Sequence, residues 1–450
     1  MRLALCASRV RKEKTMQYVI IGGSAAAISA VEAIRSIDPA SQIDLFSDEA
    51  TPLFSRVLLP YYVAEELPKS LLNFRSADFF EQNKVTPHLG IRVIEVLPGS
   101  KTIQASDGNR YAYDRLLIAT GGKPIIPPIP GIDKEGVSPL KTMEDAERVY
   151  QLQGTKAIVI GAGSIGVESS ISLKRRGLKV TLLEQLGHVL PTVFDEEAAS
   201  IVKKRIEELG IEVITGEKAL RFTGNHHVRS VVTDTREIEC DMVVLAVGVK
   251  PAIELVEKAG IEIGSLGGIK VNPQMMTNLP DIYAAGDVAE TFDIARGTPF
   301  INAIWPCAFE QGHIAGLNMA GKKTPYEGSY RRNSIGNFIG IPAISMGVTH
   351  VDVCTDCAPG DQFQETKRKT KDTYRKLILR NGCIIGAILV GQTQKAGLFS
   401  VLLKKRIEVT DFIPVLLSPY LNFMDILPLL RRNGDKFTEP EYKELMDTGL

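Results

Sequence analysis

KAIVIGAGSIGVESSISLKRRG, from Lys156 to Gly177, with KVTLLE closing at Glu184, is the stretch that decides the fold. A short apolar run reads as a buried strand, a glycine turn ends it, and a helix follows. Glycines at Gly161, Gly163 and Gly166 have the GxGxxG spacing that lets backbone approach a pyrophosphate at the positive end of a helix. An acid at Glu184 ends the next strand, where a carboxylate binds both ribose hydroxyls of a dinucleotide and repels a 2′-phosphate. The pattern therefore favours NADH over NADPH.

Upstream, YVIIGGSAAAISAVEAIR repeats the same order from Tyr18 to Arg35, so the chain holds two nucleotide-binding domains. Here Gly22 is kept, while Ser24 and Ala27 stand at the second and third glycine positions. Both are small, although Ser24 is expected to sit where glycine is easiest. Asp48 or Glu49, after IDLFS, supplies the ribose acid of this unit, with Asp48 the first candidate.

Between the two units, SKTIQASDGNRYAYD reads as a hairpin returning to the strand LLIAT, and KPIIPPIPG (Lys123 to Gly131) as extended linker. A second such strand, MVVLAVG, ends at Gly248, and TNLPDIYAAGD reaches a Gly-Asp turn at Asp287. From about Tyr326 short β-like runs precede a helix-rich tail, an α+β domain.

Composition narrows the function. Basic and acidic residues number 53 each, so net charge makes no case for nucleic acid or an anionic membrane as partner. No stretch approaches the roughly 20 apolar residues of a membrane span. Six scattered cysteines argue against a secreted disulfide framework, and a reducing cytoplasm fits best. Residues 1–15 read as a disordered tail, with Met16 an alternative start. Cys354 and Cys357 form a CxxC to which only His350 adds a further ligand, so no metal site is expected and the pair reads as loop thiols. The run KRKTK near Lys367 reads as a solvated hairpin.

Taken in order, GGSAAA, YDRLLIATGG, GAGSIGVE with LLE, and TNLPDIYAAGD resemble the pyridine nucleotide-disulfide oxidoreductase superfamily of FAD- and NAD(P)H-dependent flavoproteins. The resemblance implies that Gly22, Ser24, Ala25, Ala26, Asp48, Ala119, Thr120, Gly121 and Asp287 serve FAD. It assigns Gly161, Gly163, Ser164, Ile165, Gly166, Glu184 and Gly248 to NAD, and puts Glu168 near the nicotinamide carboxamide. In INAIWPCAFEQGHIAG it implies a helix, with Pro306 in its first turn, whose amides near Cys307 and Ala308 face the flavin pyrimidine ring. Trp305 either covers that ring or belongs to the core.

Thiol-using members carry a CxxxxC pair, or a cysteine three residues before Pro-Tyr-Tyr. Here Val57 stands three residues before Pro60-Tyr61-Tyr62, and valine is neither nucleophile nor sulfenic acid. SRVLLPYY is similar instead to the branch containing the N-terminal part of the nitrite reductase large subunit, rubredoxin reductases and the phenylglyoxylate dehydrogenase flavin subunit. That branch passes electrons from NAD(P)H through FAD to iron-sulfur or other one-electron acceptors. The resemblance places Arg56 near the flavin or pyrophosphate, with Arg56 and Glu168 the candidate catalytic side chains.

The expectation is an α/β protein with two Rossmann-like domains and a C-terminal α+β domain. The FAD domain takes 16–141 and 267–321, the NAD domain 142–266, and the C-terminal domain, with a homodimer interface implied by the resemblance, 326–450. The expected function is an FAD-dependent NADH:acceptor oxidoreductase with an electron-acceptor protein as partner. A stand-alone NADH oxidase, or a non-catalytic flavin- or NAD-binding subunit, are the alternatives.

Overall fold

The computed structural model describes residues 15–51, 53–335, 339–351 and 360–448. The expected N-terminal tail, apart from Thr15, and the Cys354–Cys357 pair lie outside them.

Two five-stranded parallel sheets form the centre of the molecule. The first runs, in spatial order, Ile282–Ala284, Arg115–Ile118, Gln17–Ile21, Gln42–Ser47 and Val85–Leu89. The second runs Glu212–Thr215, Lys179–Glu184, Lys156–Ile160, Met242–Leu245 and Val137–Pro139. Strands buried on both faces read as unbroken apolar runs, as Tyr18–Ile21 and Ala157–Ile160 do. In each sheet the strand that opens the glycine motif is central, and the motif's helix, Ala25–Ile37 or Ser164–Arg175, returns the chain to the next parallel strand.

The two sheets exchange chain twice. The crossings pair as a short antiparallel ribbon, Gly122–Pro124 against Val249–Pro251. Part of the stretch read as linker is therefore a strand. The structure also moves the expected boundaries. Val137–Pro139 pairs with Met242–Leu245 in the second sheet, ahead of residue 142. Val256 and Ile261 pack in the first core, because the chain has already crossed back at Ala252, whose amide donates to the Gly121 carbonyl.

The C-terminal unit is a five-stranded antiparallel sheet ordered Arg332–Ser334, Ala343–Gly347, Cys383–Val390, Tyr374–Arg380 and Phe363–Lys369. Helices Ala396–Lys404 and Phe423–Arg432 contribute to its own core. Its other side is continuous with the second sheet's core, where Ile341, Tyr374 and Ile388 join Val167, Phe194 and Val202. Leu59, from the SRVLLPYY segment, reaches the same core with Phe54 and Val63, which flank that segment. The Lys367 hairpin is docked rather than merely solvated: Lys367 and Lys369 both pair with Glu197 of the second nucleotide domain. Among the described residues no helix is long and apolar enough to cross a membrane.

Candidate functional site

Gly161 has φ +97° and its added β-carbon would lie 2.5 Å from the Ala246 carbonyl oxygen; Gly22 has φ +128° and would meet Ala119 O at 2.2 Å. Both first glycines are thus required by the protein itself. The third position is as tight, since a β-carbon on Gly166 would come within 1.8 Å of Gly161 O. The second position differs. Gly163 adopts φ −70°, and a β-carbon there would meet no protein atom within 4 Å. Its smallness leaves room for something other than the protein. Ser24, its counterpart, also has ordinary extended backbone at φ −114°, so serine is not strained here as the glycine rule led one to expect.

The helices that follow are open at their N-termini. Neither Ser24 nor Gly163 supplies a side-chain cap, and the first bonded amides are those of Ile28 and Val167. The amides of Ala25, Ala26 and Ala27, and of Ser164, Ile165 and Gly166, thus have neither an intrahelical acceptor, as in any first helical turn, nor a side-chain cap. By contrast Thr142, Asp195 and Asn422 cap their helices with side chains. Uncapped amides at the positive end of a helix, beside a glycine with open space above it, suit a pyrophosphate at each motif.

Glu184 is buried, and its carboxylate accepts the amides of Ala162 at 2.7 Å and Leu186 at 2.9 Å. Those bonds aim it across the glycine turn. Strand register makes Ser47, not Asp48, its counterpart in the first motif, because Gly22 follows Ile21 opposite Phe46 just as Gly161 follows Ile160 opposite Leu183. Asp48 lies one residue further on, exposed and paired with Arg92 at 3.2 Å.

The fourth motif closes on the first. Gly286, at φ +85°, is wedged between Ala26 of one helix and Ala308 of another. Beside it Asp287 pairs with Lys141 at 3.5 Å. Burial lowers the Lys141 ammonium pKa, opposed in part by Asp287. Arg56 donates from Nη1 to the Lys141 carbonyl at 2.8 Å and pairs through Nη2 with Glu49. The other Glu49 oxygen is buried without a partner. Arg56 and Asp287, distant in sequence, thus meet through Lys141, which the sequence reading did not single out.

Thr120 points elsewhere. Its hydroxyl donates to the Ala252 carbonyl at 2.8 Å, tying the two crossings together, while Gly121 at φ +68° and Gly248 at φ +107° turn the chain into the ribbon.

The helix Trp305–Met319 starts with Pro306 in its first turn. The Ala308 amide is taken by the Ile304 carbonyl at 3.1 Å, so of the two amides expected to face the flavin only that of Cys307 stays outside this bond. Trp305 is partly buried against the first core and packs edge-to-face on Phe74 at 4.9 Å. Gln311 was also missed: it is buried, and its Oε1 accepts the Gly286 amide at 2.8 Å. Glu168, on the helix Ser164–Arg175, is half-buried, and burial, with no charged group among the described residues to oppose it, pushes its carboxyl up to about 7.

These elements match a family model over most of their length. Residues 16–312 fit the pyridine nucleotide-disulphide oxidoreductase model. The chain belongs to that family. Its cofactors are FAD and NADH, and it is an oxidoreductase. Residues 334–407 fit the rubredoxin NAD+ reductase C-terminal domain. The chain is 34% identical over 321 residues to an NADH oxidase of Methanocaldococcus jannaschii, covering 69% of this chain and 71% of that one. It is 29% identical to the NADH-dependent phenylglyoxylate dehydrogenase subunit epsilon of Aromatoleum evansii, over 88% of this chain and 93% of the relative. A NAD-dependent persulfide reductase from A. fulgidus superposes with TM-score 0.84 at 28% identity, covering 93% of this chain and 84% of the other.

Proposed function

We propose that this oxidoreductase takes hydride from NADH and passes the electrons to a separate one-electron acceptor, an iron-sulfur protein or subunit, with no cysteine of its own as relay. The observation that carries this is Val57. It occupies the turn Arg56–Leu58 where thiol-using members place their cysteine, and it is 49% exposed. The described cysteines offer no substitute: burial raises the Cys240 thiol to about 12 and Cys307 to about 11, and raises Cys383 as well. Thiols held this far above neutrality are poor nucleophiles.

Bound FAD supplies the step from two-electron to one-electron chemistry, and the protein supplies binding and orientation. In this reading the amides of Ala25 to Ala27 and the Asp287–Lys141–Arg56 cluster hold FAD. Gly22 and Ala119 shape its turn, and the Cys307 amide with Pro306 faces its pyrimidine end. The amides of Ser164 to Gly166 hold the NADH pyrophosphate above Gly163, Glu184 binds the ribose, and Glu168 lies by the nicotinamide. The likeness to the phenylglyoxylate dehydrogenase subunit supports a protein acceptor, and the match to the rubredoxin NAD+ reductase C-terminal domain supports it further. Homodimerisation is consistent with Tyr420 and Met424, 85% and 69% exposed on the C-terminal unit. Six scattered cysteines, few for a secreted disulfide framework, support a cytoplasmic setting.

Anaerobic titration tests the proposal. Dithionite should deliver two electrons per flavin, and a four-electron endpoint would reveal a thiol relay. The likeness to an NADH oxidase supports a second reading, oxygen as acceptor, for which rapid aerobic NADH consumption by the pure protein is the diagnostic.

A further inference from the structure

The hairpin of the C-terminal sheet sets two like-charged pairs side by side. Lys367 stands opposite Lys376, and Arg368 opposite Arg375. Directly opposed like charges destabilise a sheet unless something neutralises them. Successive residues of a strand face opposite sides, so the two pairs lie on different faces. On the lysine face the charge is answered within the chain. Lys376 pairs with Asp195 at 3.2 Å and Glu365 at 3.0 Å, and Lys367 pairs with Glu197.

On the arginine face no counter-charge answers it, although the Arg375 guanidinium lies over the Phe399 ring, 5.6 Å from its centroid. Among the described residues no carboxylate lies within ion-pair distance of Arg368 or Arg375. Asp372, in the turn between the strands, pairs instead with Arg205 at 3.7 Å. Arg375 is only 7% exposed. Its Nη1 donates to the carbonyls of Leu416 at 2.8 Å and Ser418 at 2.6 Å, which fixes the guanidinium and leaves its other donors without a protein partner among the described residues. Burial and the neighbouring Arg368 both lower its pKa, the mark of a cation lacking an anion. The two arginines line a cleft together with the hydroxyl-bearing Thr370 and Thr373 and with Gln392.

We propose that this cleft binds a phosphate group, either free or as a phosphomonoester, and that the bound oxyanion neutralises the Arg368–Arg375 pair. Paired guanidinium forks match the oxygens of a phosphate, the Thr370 and Thr373 hydroxyls, bonded to each other at 2.6 Å, keep one hydrogen to donate, and the recessed position of Arg375 favours a small headgroup over a flat protein surface.

The test uses FAD-loaded protein saturated with NAD+, so that both dinucleotide sites are filled. Inorganic phosphate and glycerol 3-phosphate are titrated separately by calorimetry, against chloride at matched ionic strength. Phosphate should bind and raise the melting temperature, and Arg368→Gln should weaken it at least tenfold. Binding of glycerol 3-phosphate as well would assign the site to phosphomonoesters, whereas its exclusion would assign it to the free anion. Arg368 is exposed, so its loss does not endanger the fold, whereas Arg375 also anchors the loop at Leu416. Arg368→Glu should abolish phosphate binding and melt higher than wild type without phosphate, because it supplies the missing carboxylate. Wild type that ignores phosphate, or Arg368→Gln that binds it undiminished, overturns the proposal.

Discussion

Gly312 lies so close to Ala26 that a β-carbon on Gly312 would stand 2.1 Å from the Ala26 carbonyl oxygen. Gly316, one helical turn later, stands in the same relation to Ala30 at 2.5 Å. The helix that begins at Trp305 is thereby pressed onto the helix of the first glycine motif, with the Gly286–Asp287 turn held at their N-termini. Gly312→Ala should force the helices apart, at the about 1 to 3 kcal/mol typical of overpacking. The purified variant should be depleted in FAD and melt lower. Full flavin content with an unchanged melting temperature would show the contact to be slack.

Gly163→Ala should behave in the opposite way. Its backbone conformation suits alanine and the added methyl meets no protein atom, so the melting temperature should hold. The methyl would occupy the space assigned to the NADH pyrophosphate, and the rate of flavin reduction at low NADH should fall at least tenfold. An unchanged dependence on NADH would remove the pyrophosphate from this turn.

Removing the Glu184 carboxylate tests the choice of cofactor. Glu184→Ala should weaken NADH binding by about 1 to 3 kcal/mol, the cost of leaving buried hydrogen-bonding groups unpaired. Discrimination against NADPH should shrink with it, as stopped-flow bleaching with each cofactor would report. Equal wild-type rates with NADH and NADPH would contradict the role.

Glu168 carries a pH signature. Its carboxyl titrates at about 7 in the folded protein against an ordinary 4.5, because burial penalises the charged form. Below about 4.5 it is protonated folded or unfolded and costs nothing. As pH rises towards 7 the unfolded chain ionises first, and folding stability is progressively lost. The melting temperature of Glu168→Gln relative to wild type should therefore climb between these values and level off above 7. A difference that stays flat across this range would mean that Glu168 is solvated.

Replacing every cysteine by serine or alanine should leave reduction by NADH, and onward transfer to ferricyanide, nearly intact. Any effect at Cys307, which is fully buried, should come from packing and appear as lowered stability. Loss of ferricyanide turnover in Cys354→Ser or Cys357→Ser alone would route the electrons through that pair.

Local sequence was enough for the two nucleotide folds. A strand, a glycine turn and a helix depend on residues within a few positions of one another, and both central strands pair in the expected parallel order. Local rules also went too far at Ser24, where the close approach that demands glycine falls on Gly22 instead. The missed features depend on distant chain. Lys141 meets Asp287, and Gln311 meets the Gly286 amide, only because segments far apart in sequence converge in space.

What the sequence alone determined, then, is the pair of dinucleotide folds, the acid at Glu184 and the valine at position 57, since each rests on a residue type at a short fixed spacing. Only tertiary structure decided that Ser47 rather than Asp48 is the counterpart of Glu184, that Arg56 reaches Lys141, and that the Lys367–Lys376 pair is neutralised while Arg368–Arg375 is not. Those outcomes depend on strand register and on which charges are brought within a few ångströms, and spacing along the chain encodes neither.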